Sequence, residues 1–239
     1  MKKLINLGNN LQGFSLVEMA IVLIILGFVL ASLLLPLQAQ RQQLAQSQTE
    51  NTLAIAQRAL IGYGQAQARL PCPAIATSNG LESITAGACT QQVGFLPATT
   101  LGIQPTDTNG FAIDAWNNRI FYSITSANSN AFITAYGMSN LGIANLVPDL
   151  RVCASSTAAN CTSSINLTNN AVAVIYSTGP TGALGSGGND ENANLNNDTI
   201  FVSHDPTGVG ATNGEFDHLM VWTSPYILYN AMIEAGQLH

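Results

Sequence analysis

Apolar positions run through this chain in three patterns. From Phe14 to Leu35 nearly every residue is apolar, and Glu18 is the one ionisable side chain. As a helix this stretch is roughly 33 Å long at about 1.5 Å per residue, enough to cross a hydrocarbon core of about 30 Å. Beyond Gln38 the pattern becomes periodic. Leu53, Ala56, Leu60 and Tyr63 recur at helical spacing, while Arg41, Glu50 and Arg58 mark wetter faces. The spacing predicts one helix from Phe14 to about Tyr63, its second half amphipathic and laid on a sheet. Gly27 and Pro36 are expected to weaken it locally. Gly62 and Gly64 begin its end, and Leu70-Pro71-Cys72-Pro73 completes it.

The third pattern is that of short strands. Residues 74–112 read as loop, with a glycine every few positions. Asn117-Asn118, set between Trp116 and the run Ile120-Phe121-Tyr122-Ser123-Ile124, reads as a hairpin turn, with Trp116 and Tyr122 as core anchors. Ala171-Val172-Ala173-Val174-Ile175-Tyr176 is apolar throughout, as a strand covered on both faces would be. Strands are also expected at 199–203 and 218–223. Pro225 and Gly236 bracket a short closing helix with Leu228, Ala231, Met232 and Ala235 on its apolar face. The fold class is therefore α+β: a long N-terminal helix on an antiparallel sheet, closed by a short helix.

The leader contains Lys2 and Lys3 and no acid, which holds the N-terminus in the cytoplasm and sends the chain after Pro36 outward. An acid within an inserted helix costs about 2.5–3.5 kcal/mol at its centre, so Glu18 needs a partner. Cleavage between Gly13 and Phe14 would create an α-amino group one helical turn away, able to pair with Glu18 of an adjacent subunit. Gly13-Phe14-Ser15-Leu16-Val17-Glu18 before an apolar helix resembles a type IV prepilin. That resemblance implies cleavage after Gly13 by a prepilin peptidase, N-methylation of Phe14, and assembly of the helices, guided by Glu18, into a filament core. The competing readings are an ordinary signal anchor and a cleaved secretory signal; the latter lacks its small-residue cleavage pattern.

The head carries weaker likenesses to the same family. Leu70-Pro71-Cys72-Pro73, the later Cys89, Gly94-Phe95-Leu96-Pro97 and Leu101-Gly102 resemble a subgroup of pilin-like proteins. Asp114-Ala115-Trp116 followed by Tyr122 is similar to a pilin pattern in which glycine stands where this chain has Asn117. His218 takes the place of the second aspartate of Phe-Asp-Asp, and Pro36 lies one residue later than the family's proline. The implied layout is a cleaved leader at 1–13, a transmembrane and filament-core helix at 14–36, its amphipathic continuation at 37–66 and a globular head at 67–239. A head of about 175 residues, large enough for its own core, favours a minor pilin or a pseudopilin, and the minor pilin is the first expectation. A pseudopilin of a type II secretion system is the alternative. A second is an adhesin or recognition head presented by the filament, which would need a concave aromatic or polar site, sought in 125–170. The expected partners are the peptidase, other subunits and inner-membrane lipid, with the head periplasmic before export to a pilus, a pseudopilus or the cell surface.

Composition narrows the chemistry. Charged residues make up 8% and the formal charge is −6; loss of Lys2 and Lys3 lowers it by two. Every other cation is an arginine and no basic stripe exists, so no nucleic-acid partner is indicated. Cys72, Cys89, Cys153 and Cys161 read as disulfides outside the cytoplasm, with three connectivities possible and the local pairs Cys72–Cys89 and Cys153–Cys161 expected. Zinc is the weaker reading, as no Cys-x-x-Cys pair exists. The run from Gly188 to Asp198 is dense in oxygen ligands, and Asp190, Glu191 and Asp198 are the candidate ligands of a calcium ion, the one cofactor considered. Its spacing is not that of an EF-hand, and a solvated Asn/Asp-rich loop is the plainer reading. No Gly-x-Ser-x-Gly elbow, phosphate loop or His-Glu-x-x-His occurs, and Asp217-His218 and His204-Asp205 are adjacent pairs that a strand would point apart. These features favour a structural subunit over a membrane-anchored enzyme.

Overall fold

The computed structural model of the chain describes residues 15–156, 165–182 and 187–239, with the side chains of 31–37 outside that description. Two compact units are distinguished, Met1–Leu44 and Ala45–His239. Helix α1 runs from Leu16 to Gln67, 52 residues, through Gly27 and Pro36. Between Met19 and Leu30 it is apolar on every side, and its large side chains are exposed, Phe28 at 74%. Such a helix has no wetted face and requires a lipid or protein surround. Among the described residues no helix is long and apolar enough to cross a membrane.

In the second unit α1 becomes amphipathic. Leu53, Ala56 and Leu60 are all but fully buried. The helix also outlasts Gly62 and Gly64. A Cβ on Gly64 would stand 3.2 Å from Leu228 Cδ1, so glycine there permits close approach to the closing helix, offsetting a propensity cost of about 1 kcal/mol. The helix stops where Ala68 enters the left-handed region at φ 55°.

The main sheet is antiparallel in the order β3-β4-β7-β9: Val93–Phe95 (β3), Phe121–Ile124 (β4), Ala173–Ser177 (β7) and Leu219–Thr223 (β9). Ser123 pairs with Val174 on one side of β7, and Trp222 with Val174 on the other. All five residues of β7 are buried, and their alternation explains why. Ala173 and Ile175 join the core that contains Leu53, Leu60, Tyr122, Leu228 and Met232. Val174 and Tyr176 join a second core with Leu150, Val152 and Phe201. The closing helix, Pro225–Glu234, belongs to the first core through Leu228 and Met232. Gln57 Nε2 and Gln65 Nε2 tie α1 to the carbonyls of Trp222 and Ala231.

Behind the second core lies a further sheet, β6-β5-β8, formed by Asn166–Ala171 (β6), Leu150–Cys153 (β5) and Ile200–Val202 (β8). Strands β5 and β8 are parallel, with Val152 opposite Phe201. The head is thus not purely antiparallel, a correction to the sequence-based expectation. A small hairpin, β1 (Ile84–Thr85) and β2 (Ala88–Cys89), lies within the region read as loop. The turn after Asp114 is present: Ile113 bridges Arg119, Asn117 has φ 68°, and Asp114 Oδ1 accepts from the Trp116 and Asn118 N–H groups. Tyr122 is a core anchor, its hydroxyl donating to the Pro71 carbonyl. Trp116 is only half-buried and anchors nothing central.

Candidate functional site

Gly13 and Phe14 lie outside the described residues; the described chain starts at Ser15. The Ser15 N–H donates to Glu18 Oε2 at 2.9 Å, and the Glu18 N–H donates to Ser15 Oγ at 3.2 Å. This reciprocal pair is a capping box, satisfying two N–H groups that the first turn of a helix leaves without partners. Glu18 is solvent-exposed here, and its carboxylate faces the N-terminal end, where the positive end of the helix dipole favours an anion. Glu18 thus caps the start of α1 and leaves its negative charge exposed at that end.

The Asn/Asp-rich stretch is not an open ligand loop. Asn189–Asn194 form a short helix, in which Asp190 and Glu191 are buried. Asp190 is a hub for separate segments: Oδ1 accepts from the Ser156 N–H at 2.6 Å, and Oδ2 accepts from Asn213 Nδ2 and faces His204 Nε2, both at 3.1 Å. Burial alone would raise the Asp190 carboxyl, but these donors hold it below the usual range. Glu191 accepts from the Gly187 and Asp217 N–H groups. Asp198 is exposed and caps its own turn through Asn196 and Ile200. The structure does not gather Asp190, Glu191 and Asp198 into one group: donors from different segments hold each carboxylate.

Among the described residues the metal-compatible group is instead Glu191, Asp217 and His218, whose ligand atoms lie within 4.8 Å of one another. The imidazole closes this option. Asn194 Oδ1 accepts from the Val202 N–H and its Nδ2 donates to the Val202 carbonyl, which fixes the amide orientation. The second Nδ2 hydrogen therefore faces His218 Nδ1 at 3.0 Å. Nδ1 must accept, so Nε2 carries the proton and neither nitrogen has a lone pair free for a metal. Burial pushes the His218 pKa down to about 4, which keeps the ring neutral. Burial also raises the Glu191 carboxyl, helped by the like charge of Asp217.

Cys72 and Cys89 are bonded. Cys153 is likewise disulfide-bonded, while its expected partner Cys161 lies outside the described residues. Beside the first bridge stands a cluster that the sequence did not single out. Arg69 grips Glu82 with both terminal nitrogens at 2.8 and 2.7 Å, the Cys72 N–H donates to Glu82 Oε2, and Tyr63 donates its hydroxyl to Oε1. Burial would raise the Glu82 carboxyl, but these donors bring it below its ordinary value, while burial and Glu82 push the Tyr63 hydroxyl up to about 12. The cluster locks the end of α1 to the disulfide loop, a structural rather than chemical task.

Comparison with known proteins returns one finding, at the N-terminus. Residues 8–34 match the prokaryotic N-terminal methylation motif. The chain therefore carries the type IV pilin-like prepilin cleavage motif. No curated protein and no solved structure matches the chain.

Proposed function

From the methylation motif at 8–34, we propose that this chain is a structural subunit of a type IV pilus or related filament, most simply a minor pilin. In this reading residues 1–13 are a cytoplasmic leader removed by prepilin peptidase between Gly13 and Phe14, and Phe14 becomes the N-methylated terminus. Residues 14–36 hold the subunit in the inner membrane and then enter the filament core. Residues 37–66 continue the helix, and 67–239 form the periplasmic head. The observation that carries the proposal is the motif itself. The capped, all-round apolar start of α1 supports it, because that surface needs neighbouring helices or lipid. The motif's family consists of structural subunits, and the work assigned to this chain is mechanical.

Two experiments test it. Mass spectrometry of sheared filaments should find an N-methylated peptide beginning at Phe14. Recovery of that peptide only from the membrane fraction would point to a secretion pseudopilin, and recovery of the uncleaved leader alone would overturn the reading. Glu18 is tested with two substitutions, because its charge and its cap are separable. Glu18→Gln keeps the capping box but removes the charge, whereas Glu18→Ala removes both. If the carboxylate pairs with a neighbour's Phe14 amine, both variants are cleaved normally and neither enters filaments. Incorporation of Glu18→Gln at the wild-type level would mean that only the cap matters.

A further inference from the structure

A cavity of about 270 Å³ opens beside the turn that joins Asp114 to β4, and Phe95, Asn117, Arg119, Phe121 and Thr178 line it. Arg119 is held rigidly. Its Nε donates to Asp107 Oδ2 at 2.7 Å, and its guanidinium carbon lies 4.1 Å from the Phe111 ring centroid and 5.4 Å from that of Phe95. A guanidinium has five N–H donors, and among the described residues only Nε is engaged. The rest are available at no further cost in side-chain ordering. The charge is already cancelled: Asp107 pairs with Arg119, and Asp114 lies buried one turn away. The cavity thus offers directional donors without a net positive field, so an anionic ligand gains little there.

The other walls fit the same chemistry. Asn117 is exposed, and its amide is unspent among the described residues. Thr178 also lines the cavity, and its hydroxyl makes no hydrogen bond among the described residues. Phe95 and Phe121, half-buried with ring centroids 5.1 Å apart, supply an apolar wall. A few convergent polar groups on an aromatic wall are the mark of a small-molecule site. A ligand that alternates hydroxyls with C–H faces matches this surface. We propose that this cavity binds one neutral sugar residue of a glycan. The site lies wholly in the head and is independent of Glu18 and of filament assembly.

The test uses the full chain in detergent on an array of galactose-, mannose- and N-acetylglucosamine-terminated oligosaccharides with their sialylated counterparts. Three variants accompany it. Thr178→Val keeps the shape and removes the hydroxyl. Asn117→Gly removes the amide while tolerating φ 68°. Arg119→Gln removes the main donors. The expected result is capture of at least one neutral glycan, weakened about five- to tenfold by Thr178→Val and by Asn117→Gly, and more by Arg119→Gln, with thermal unfolding of the first two unchanged. Capture of no neutral glycan, capture of sialylated glycans alone, or equal binding by wild type and both mild variants would overturn the proposal. The Glu18→Gln protein should bind as wild type does, which separates failure here from failure of the assembly reading.

Discussion

Acidification should destabilise the head through one histidine. His218 is 3% exposed and its pKa is pushed down to about 4 by burial, against an ordinary value of 6.5. The folded state therefore refuses a proton that the unfolded chain accepts between those two values. The contribution to stability is fully present above pH 6.5 and is lost as pH falls toward 4. At about 1.4 kcal/mol per pH unit, the loss attributable to His218 reaches about 3 kcal/mol. The cause is specific: protonation would put a hydrogen on Nδ1 against Asn194 Nδ2, whose orientation Val202 fixes from both sides. His218→Gln provides the comparison, because a side-chain carbonyl still accepts from Asn194 but does not titrate. Urea unfolding of the full chain in detergent, followed by tryptophan fluorescence from pH 7.5 to 4, yields stability curves for both proteins. Carboxylate titrations remote from His218 are common to the two and cancel in the difference, whereas those of Glu191 and Asp217, which lie against it, are part of what the difference reports. The wild type should lose about 3 kcal/mol more than the variant over this range. A difference that stays flat with pH would refute the tautomer assignment and the burial argument together.

Two further outcomes follow from the cluster at the end of α1. Replacing Cys72 and Cys89 together by serine opens a loop with a sequence separation of 17, and calorimetry should report a loss of about 3 kcal/mol. Glu82→Gln leaves Arg69 without its bidentate partner in a site where each side chain is 17% exposed, and should cost about 2 kcal/mol at pH 7. Because the folded Glu82 carboxyl lies below its ordinary value, that cost should shrink as pH falls below about 4.5 and vanish below the folded value, when wild-type Glu82 is itself protonated. A cost that does not change down to pH 2 would mean that the residue acts through packing alone.

Much of the fold was legible where one local signal dominated. The unbroken apolar run, the helical spacing of Leu53, Ala56 and Leu60 and the Pro225 start all express a single strong preference, whereas the run expected as one strand over 171–176 is divided, Ala171 closing β6 and Ala173–Ser177 forming β7. Legibility failed where tertiary partners decide. Strand β6 is Asn-Leu-Thr-Asn-Asn-Ala, poor in strand formers, and is a strand because β5 pairs with it. Gly62 and Gly64 read as a stop, yet the approach of Leu228 keeps Gly64 in the helix. The Asn/Asp-rich run reads as a cation loop, but the partners that hold Asp190 come from residues 156, 204 and 213, remote positions that no spacing rule connects. At the N-terminus, Glu18 was visible as an unusual acid. Its reciprocal bond with Ser15 follows the Ser-x-x-Glu spacing of a capping box and needed only that rule to be found.

Strand β7 has no outward side. Ala173 and Ile175 belong to one core, Val174 and Tyr176 to the other, so the strand is a wall held in common by two layers. Neither layer is complete while the other is open, since loosening either one exposes two of the same five residues to water. The head is accordingly a single cooperative unit despite its two sheets, and a defect in one core is felt at once in the other.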